Sequence, residues 1–136
     1  GDSMYSTLLD GERMVVEKVS YWFRAPRRGE IIVSYIDYLQ ERCVKRVVGL
    51  PGETVEIRGG TTYINGIALE EDYILEPMWQ DMSPVTVPEK AVLLMGDNRN
   101  NSWDSRDPNV GCIPFAALEG KVVAVMWPLS EIRGIG

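Results

Sequence analysis

Punctuation constrains this chain more than any single residue does. Short runs rich in Val, Ile and Tyr recur along it: Arg13 to Lys18, Glu30 to Tyr38, Arg42 to Val48, Thr54 to Arg58, Thr62 to Ile64, Ala91 to Met95 and Lys121 to Trp127. Pro26, Gly29, Pro51-Gly52, Gly59-Gly60, Asn65-Gly66, Pro88 and Gly96 fall between them. β-Branched and aromatic residues suit a pleated, half-buried surface, and Gly and Pro interrupt it. The apolar spacing of an amphipathic helix is nearly absent. The pattern predicts a mainly β chain built from antiparallel sheets. Within Tyr63-Ile64-Asn65-Gly66-Ile67 the Asn-Gly pair favours a type I′ turn, which predicts a hairpin or small meander over residues 54 to 69. Residues 70 to 88 mix three prolines and Trp79 with acidic and polar residues and read as a long surface excursion. Ser130 to Ile135 reads as a short tail.

A chain of 136 residues, 45% hydrophobic and 25% charged, can bury one core. A single catalytic domain over residues 1–136 is therefore expected, with the hairpin and excursion inserted at about 54–88. The net charge of -6 and pI of about 4.7 argue against nucleic acid as a partner, because phosphate binding needs a basic stripe and the basic residues here are scattered. The basic run Arg24 to Arg28 reads as a solvated loop. No apolar stretch approaches the roughly 20 residues that span a bilayer, and no signal peptide opens the chain. Cys43 and Cys112 form neither a CxxC motif nor a disulfide framework and read as free thiols.

The histidine count is zero. That excludes a Ser-His-Asp triad, a Cys-His pair and a His-ligated zinc site. A hydrolase of this sequence must find its base elsewhere. Lysine serves where burial lowers its pKa enough to populate the neutral amine near pH 7.

The polar chemistry gathers in four clusters: Gly1-Asp2-Ser3-Met4-Tyr5-Ser6-Thr7-Leu8, Arg28-Gly29-Glu30-Ile31-Ile32-Val33, Lys45-Arg46-Val47-Val48-Gly49-Leu50-Pro51-Gly52-Glu53 and Gly96-Asp97-Asn98-Arg99-Asn100-Asn101-Ser102-Trp103-Asp104-Ser105-Arg106. Each has a plain structural explanation when taken alone. Ser3 could be a frayed polar residue, Lys45 an edge-strand lysine that guards against aggregation, and the last cluster a turn satisfied by its own Asn and Asp side chains. Strand alternation places Lys45 on one face with Cys43 and Val47, and Val44, Arg46 and Val48 on the other.

In wording and order the clusters resemble the conserved boxes of type I signal peptidases: Ser-Met-x-Pro-Thr-Leu, Arg-Gly-Asp-Ile-Val-Val, Lys-Arg-Val-x-Gly-Leu-Pro-Gly-Asp and Gly-Asp-Asn-Arg-x-Asn-Ser-x-Asp-Ser-Arg. The resemblance runs from Ser3 to about Pro128. Glu17 to Phe23, Ile74 to Pro77 and Trp127 to Leu129 are further similar to the cyanobacterial and chloroplast thylakoidal branch, while Gly49 to Glu53 follows the bacterial wording. The fold that the resemblance implies is a coiled, partly open β-barrel-like domain, shared with the proteases of SOS-response repressors. The activity it implies is a membrane-associated serine endopeptidase with a Ser-Lys dyad, removing N-terminal signal peptides from exported preproteins after small residues of the Ala-x-Ala type.

The same resemblance implies residue roles. Ser3 matches the nucleophile and Lys45 the general base, with the Ser3 N–H donating to the oxyanion. Ser102 matches the serine that orients the lysine amine. Asp104, Arg106, Asp97 and Arg46 match supporting ion pairs, and Arg46 could also repel the Lys45 charge. Met4, Leu8, Val33 and Val44 match the walls of shallow substrate pockets. No metal or cofactor is implied. The implied partners are preprotein signal peptides and a membrane lipid surface, met by Tyr5, Trp22, Phe23, Met78 and Trp79.

The chain also departs from the pattern. Ser6 replaces the usual proline, so the turn after Ser3 loses a fixed φ angle. Gly1 stands where some members carry a hydroxyl that completes the oxyanion hole. Four residues separate Arg106 from Gly111, which lengthens the exit of the last loop. Only two residues precede Ser3, where the family has a transmembrane helix and a strand. A truncated ectodomain is therefore expected, from a protein anchored in the bacterial cytoplasmic or thylakoid membrane with its catalytic domain on the outer or lumenal side. Two alternatives share the features: a self-cleaving Ser-Lys domain of the SOS-repressor type, and a catalytically silent β scaffold at the membrane.

Overall fold

The computed structural model describes residues 2–136. Its strands are β1 (Arg13–Glu17), β2 (Ile31–Ile36), β3 (Glu41–Gly49), β4 (Thr54–Arg58), β5 (Thr61–Ile64), β6 (Ile67–Ala68), β7 (Met82–Thr86), β8 (Ala91–Met95), β9 (Ile113–Pro114), β10 (Leu118–Trp127) and β11 (Arg133–Gly134). All pairings are antiparallel. The larger sheet runs β1-β10-β2-β3-β8-β9, with β11 beside β10; the smaller runs β6-β5-β4-β7. The larger sheet is an open path from β1 to β9 rather than a closed ring.

β8 shows why the fold holds. All five residues of β8 are buried. Alternate side chains enter different clusters: Ala91, Leu93 and Met95 join Val48, Val55 and Ile57 under the smaller sheet, while Val92 and Leu94 join Ile32, Ile36 and Val47 on the other side. A strand apolar on both faces has no solvent side, so its register is set from both directions. A third cluster of Met4, Leu8, Ile31, Val122 and Val125 pins the N-terminal segment against β2 and β10.

β4 and β8 have the bounds expected from the sequence. Asn65 (φ 50°) and Gly66 (φ 82°) form the left-handed turn joining β5 to β6. The excursion differs from expectation. β7 pairs with β4, and Met78 is buried beneath the smaller sheet rather than presented to solvent. The basic run is not a loosely solvated loop: Arg24 is paired with Glu30 at 2.7 Å and Arg28 with Glu53 at 2.6 Å. The C-terminal tail contributes β11, and a single helical turn, Ser20–Phe23, lies between β1 and β2.

Candidate active site

β3 carries the centre of the site. It is held between β2 and β8, with Lys45 opposite Ile32 and Arg46 opposite both Ile31 and Met95. Pleating sends the two neighbouring cations to opposite faces. The Lys45 side chain is buried at 4% exposure. Its Nζ donates to Ser102 Oγ at 2.9 Å. Ser102 Oγ in turn donates to Asp104 Oδ2 at 2.8 Å. Lys45 makes no ion pair among the described residues. Burial pushes its amine below the ordinary lysine range; the Asp104 charge opposes this, and Arg106 adds to it.

Asp104 anchors the loop beneath Ser102. It accepts from Gly96 N at 2.9 Å and from Arg106 Nε and Nη2 at 2.8 Å each. Burial pushes the Asp104 carboxyl up, but the Arg106 hydrogen bonds and charge outweigh it, and the group lies below its usual range. It stays ionised and can accept from Ser102.

Ser3 lies in the turn before β1 and is stitched to the same loop. Its carbonyl accepts from Asn98 N at 2.8 Å. Asn98 Nδ2 donates to the Asp2 carbonyl at 3.0 Å, and the Thr7 hydroxyl donates to Asp97. Gly96 makes this approach possible: a Cβ there would fall 2.5 Å from the Ser3 carbonyl oxygen and closer still to Ser102 Oγ. The two serines thus meet across the bare side of one α-carbon. Among the described residues Ser3 Oγ makes no hydrogen bond, including none to Lys45, and the Ser3 N–H enters no backbone hydrogen bond. Gly1, which the sequence singled out for its missing hydroxyl, lies outside the described residues.

Ser3, Lys45 and Ser102 line one open cleft of about 850 Å³ together with Met4, Leu8 and Val44. Val33 does not reach it. It stands opposite Val44 on β2 and packs against the cluster of Met4, Leu8 and Ile31. Among the described residues no group of three His, Cys, Asp or Glu side chains is placed to hold a metal ion.

A second polar network lies on the opposite face of β3. Arg46 grips Asp97 with Nε at 2.8 Å and Nη2 at 2.7 Å, so its charge points away from Lys45. The like charge acting on Lys45 is that of Arg106. Tyr73 lies over the Arg46 guanidinium, 3.8 Å from ring centroid to Cζ. Tyr73 Oη donates to Glu71 at 2.8 Å, and Glu71 grips Arg99. Sequence reasoning missed Glu71 and Tyr73, because their partners lie far away along the chain. Of the aromatic and Met residues expected at a lipid surface, Trp22, Phe23, Trp79 and Tyr5 are exposed and Met78 is buried.

The family profile described as "Signal peptidase, peptidase S26" matches residues 1–127. The chain is 48% identical to the probable signal peptidase I-1 of Synechocystis over 143 aligned positions, covering 99% of this chain and 72% of that protein. It is 43% identical to a signal peptidase I of Leptolyngbya laminosa, covering 99% of this chain and 70% of that protein. It is 40% identical to thylakoidal processing peptidase 1, chloroplastic, of Arabidopsis thaliana, covering 96% of this chain but 41% of that protein. A crystal structure of a signal peptidase I from Enterococcus faecalis V583 superposes with a TM-score of 0.64 at 38% identity, covering 72% of this chain and 97% of that one. These matches do not favour a self-cleaving repressor domain.

Proposed function

The chain belongs to the peptidase S26 signal peptidases, a family of signal-peptide-removing serine peptidases, and from that premise we propose that its chemistry runs on a Ser3–Lys45 dyad. The neutral Lys45 amine takes the Ser3 proton as Ser3 Oγ attacks the carbonyl carbon of the last residue of an Ala-x-Ala type sequence. The Ser3 N–H donates to the oxyanion of the tetrahedral intermediate. Protonated Lys45 then gives its proton to the leaving amine, releasing the mature chain and leaving an ester on Ser3. A water, deprotonated by Lys45, attacks that ester; the signal peptide leaves and Ser3 regains its proton. Ser102 orients the amine, Asp104 and Arg106 hold Ser102, and Arg46 with Asp97 hold the turn against which Ser3 rests. Met4, Leu8, Val33 and Val44 shape the apolar pockets or back their walls.

One observation carries this reading: the buried Lys45 amine is bonded to a neutral hydroxyl and faces the cleft that Ser3 lines. An amine without a carboxylate partner is the one most easily left neutral by burial. In the membrane-anchored protein, placed on the outer or lumenal side of the bilayer, exposed Trp22, Phe23, Trp79 and Tyr5 would rest on lipid. The test is preprotein cleavage in detergent by the full-length protein. Ser3→Ala and Lys45→Ala should each abolish release of the mature product. Undiminished cleavage by either variant, or cleavage only in cis, overturns the assignment.

A further inference from the structure

Gly96 is clamped from both of its peptide groups. Its N–H is fixed by Asp104 at 2.9 Å, on the Ser102 side. Its carbonyl accepts from Arg99 Nε at 2.9 Å. Arg99 is wholly buried along its side chain and faces Glu71, itself 3% exposed, in a two-point grip of Nη1–Oε1 at 2.9 Å and Nη2–Oε2 at 2.5 Å. A planar fork held at two points fixes both the direction and the rotation of the guanidinium, which a single contact would not. The remaining Nε–H can then point only at the Gly96 carbonyl. Tyr73 Oη, donating to Glu71 at 2.8 Å, limits rotation of the carboxylate itself.

We infer that Glu71 is a positioning residue for the Ser3–Lys45 dyad, acting through Arg99 on the Gly96 carbonyl; the inference rests on the dyad assignment above. Glu71 belongs to the segment between β6 and β7, outside the boxes that carry the family resemblance. Gly96 is the floor on which the Ser3 carbonyl and Ser102 Oγ both rest. A shift in the Gly96 peptide therefore moves the nucleophile's backbone and the hydroxyl that orients Lys45 in the same step. A tie whose sole purpose was to fasten the excursion to the loop could end on any of its carbonyls. This one ends under both serines.

Displacing a reacting group by about 1 Å costs on the order of 100-fold in rate, so Glu71→Gln, which keeps shape and loses charge, should lower kcat by about 10- to 100-fold with KM nearly unchanged. The assay uses the full-length protein and a fluorogenic peptide carrying Ala-x-Ala before its cleavage site, at a temperature where thermal unfolding shows each variant folded. Glu30→Gln is the control, because Glu30 is also engaged with an arginine but lies by the Ser20–Phe23 turn. It should lower the melting temperature and leave kcat unchanged. If Glu71→Gln does not fold, Arg99→Lys decides, since it keeps a cation for Glu71 and loses the Nε donor to Gly96. Its kcat should fall in the same range, and Glu71→Asp, which keeps the charge, should recover part of the loss. Wild-type kcat in Glu71→Gln or Arg99→Lys, or a loss confined to KM, overturns the inference. Ser3→Ala and Lys45→Ala run in the same assay: if they stay active the dyad itself falls, whereas if they are dead while Glu71→Gln is fast, only the role of Glu71 falls.

Discussion

Lys45 and Arg46 are adjacent basic residues on one strand, both largely withdrawn from water, yet β3 hands them to opposite partners. Arg46 meets Asp97, whose side chain is 0% exposed, in a two-point ion pair. Among the described residues the Lys45 amine hydrogen-bonds only the Ser102 hydroxyl, with the Asp104 carboxylate one hydrogen bond further on and already gripped by Arg106. With Lys45 as the proposed base, the difference separates a structural cation from a reactive one. A buried charge paired with a carboxylate is fixed in its charged form; a buried amine paired with a hydroxyl is free to lose its proton.

The largest expected effect breaks that pairing from the reactive side. Lys45→Met should reduce cleavage by on the order of 10³-fold or more, since members of a catalytic unit are lost nearly all at once. Its folding stability should stay within about 1 kcal/mol of wild type, because an apolar side chain of similar volume carries no desolvation cost. Wild-type turnover should rise with pH by about tenfold per unit up to the Lys45 pKa, because the neutral amine is the proposed base. Burial lowers that pKa, so the plateau begins below the ordinary lysine range. Between the lowered folded value and the unfolded one, the unfolded chain holds the proton and the folded chain does not. Over that window wild-type stability therefore rises with pH relative to Lys45→Met. A flat rate profile from pH 6 to 10 would refute the lysine base.

The mirror experiment addresses the structural side. Arg46→Met leaves Asp97 buried with the Thr7 hydroxyl and without its cation, and denaturant unfolding should show a loss of about 3–5 kcal/mol. A loss below 1 kcal/mol would mean that the two faces of β3 do not differ in kind. Ser102→Ala comes next. It removes the acceptor that orients the amine but neither member of the dyad, so kcat should fall by roughly 10- to 100-fold, the range expected from a small misplacement of a reacting group. A drop as deep as that of Lys45→Met would promote Ser102 from orienting the base to taking part in proton transfer.

How much of this contrast could be read from the chain follows from the range of the interactions. Strand alternation alone put Lys45 and Arg46 on opposite faces, and β4 and β8 were legible because their turns are local in sequence. Residues 70 to 88 were not. Prolines and charges there speak for exposure one residue at a time, whereas Met78 is buried in one cluster with Val55, Ile57 and Met95. Glu71 and Tyr73 are satisfied by Arg99 and Arg46, more than 25 positions away in each case. No periodicity encodes such a pairing. The polar density of Gly96 to Arg106 marked the loop, but propensity could not tell that Asp97 serves one face of β3 and Asp104 the other.

The smallest effect comes from a third cation on the same strand. Arg42 reaches Glu119 through Nε at 2.9 Å, but its side chain is 69% exposed and that of Glu119 29%. Water screens such a pair, and holding two long side chains in register costs entropy, so its worth is about 0.5 kcal/mol or less. Arg42→Ala should accordingly leave denaturant midpoints nearly unmoved, and the small difference should vanish in 1 M salt, where the screening length falls to about 3 Å. Arg42 also stands on the rim of the cleft that holds Ser3, which gives the variant a second reading. If KM for a neutral peptide stays within about twofold of wild type while peptides charged near the cleavage site shift in opposite senses for Lys and Glu, the rim senses substrate charge at long range. A stability loss above about 1 kcal/mol would instead group Arg42 with Arg46. Partner and burial would then no longer suffice to rank the three cations of β3, and the distinction drawn between Lys45 and Arg46 would need another cause.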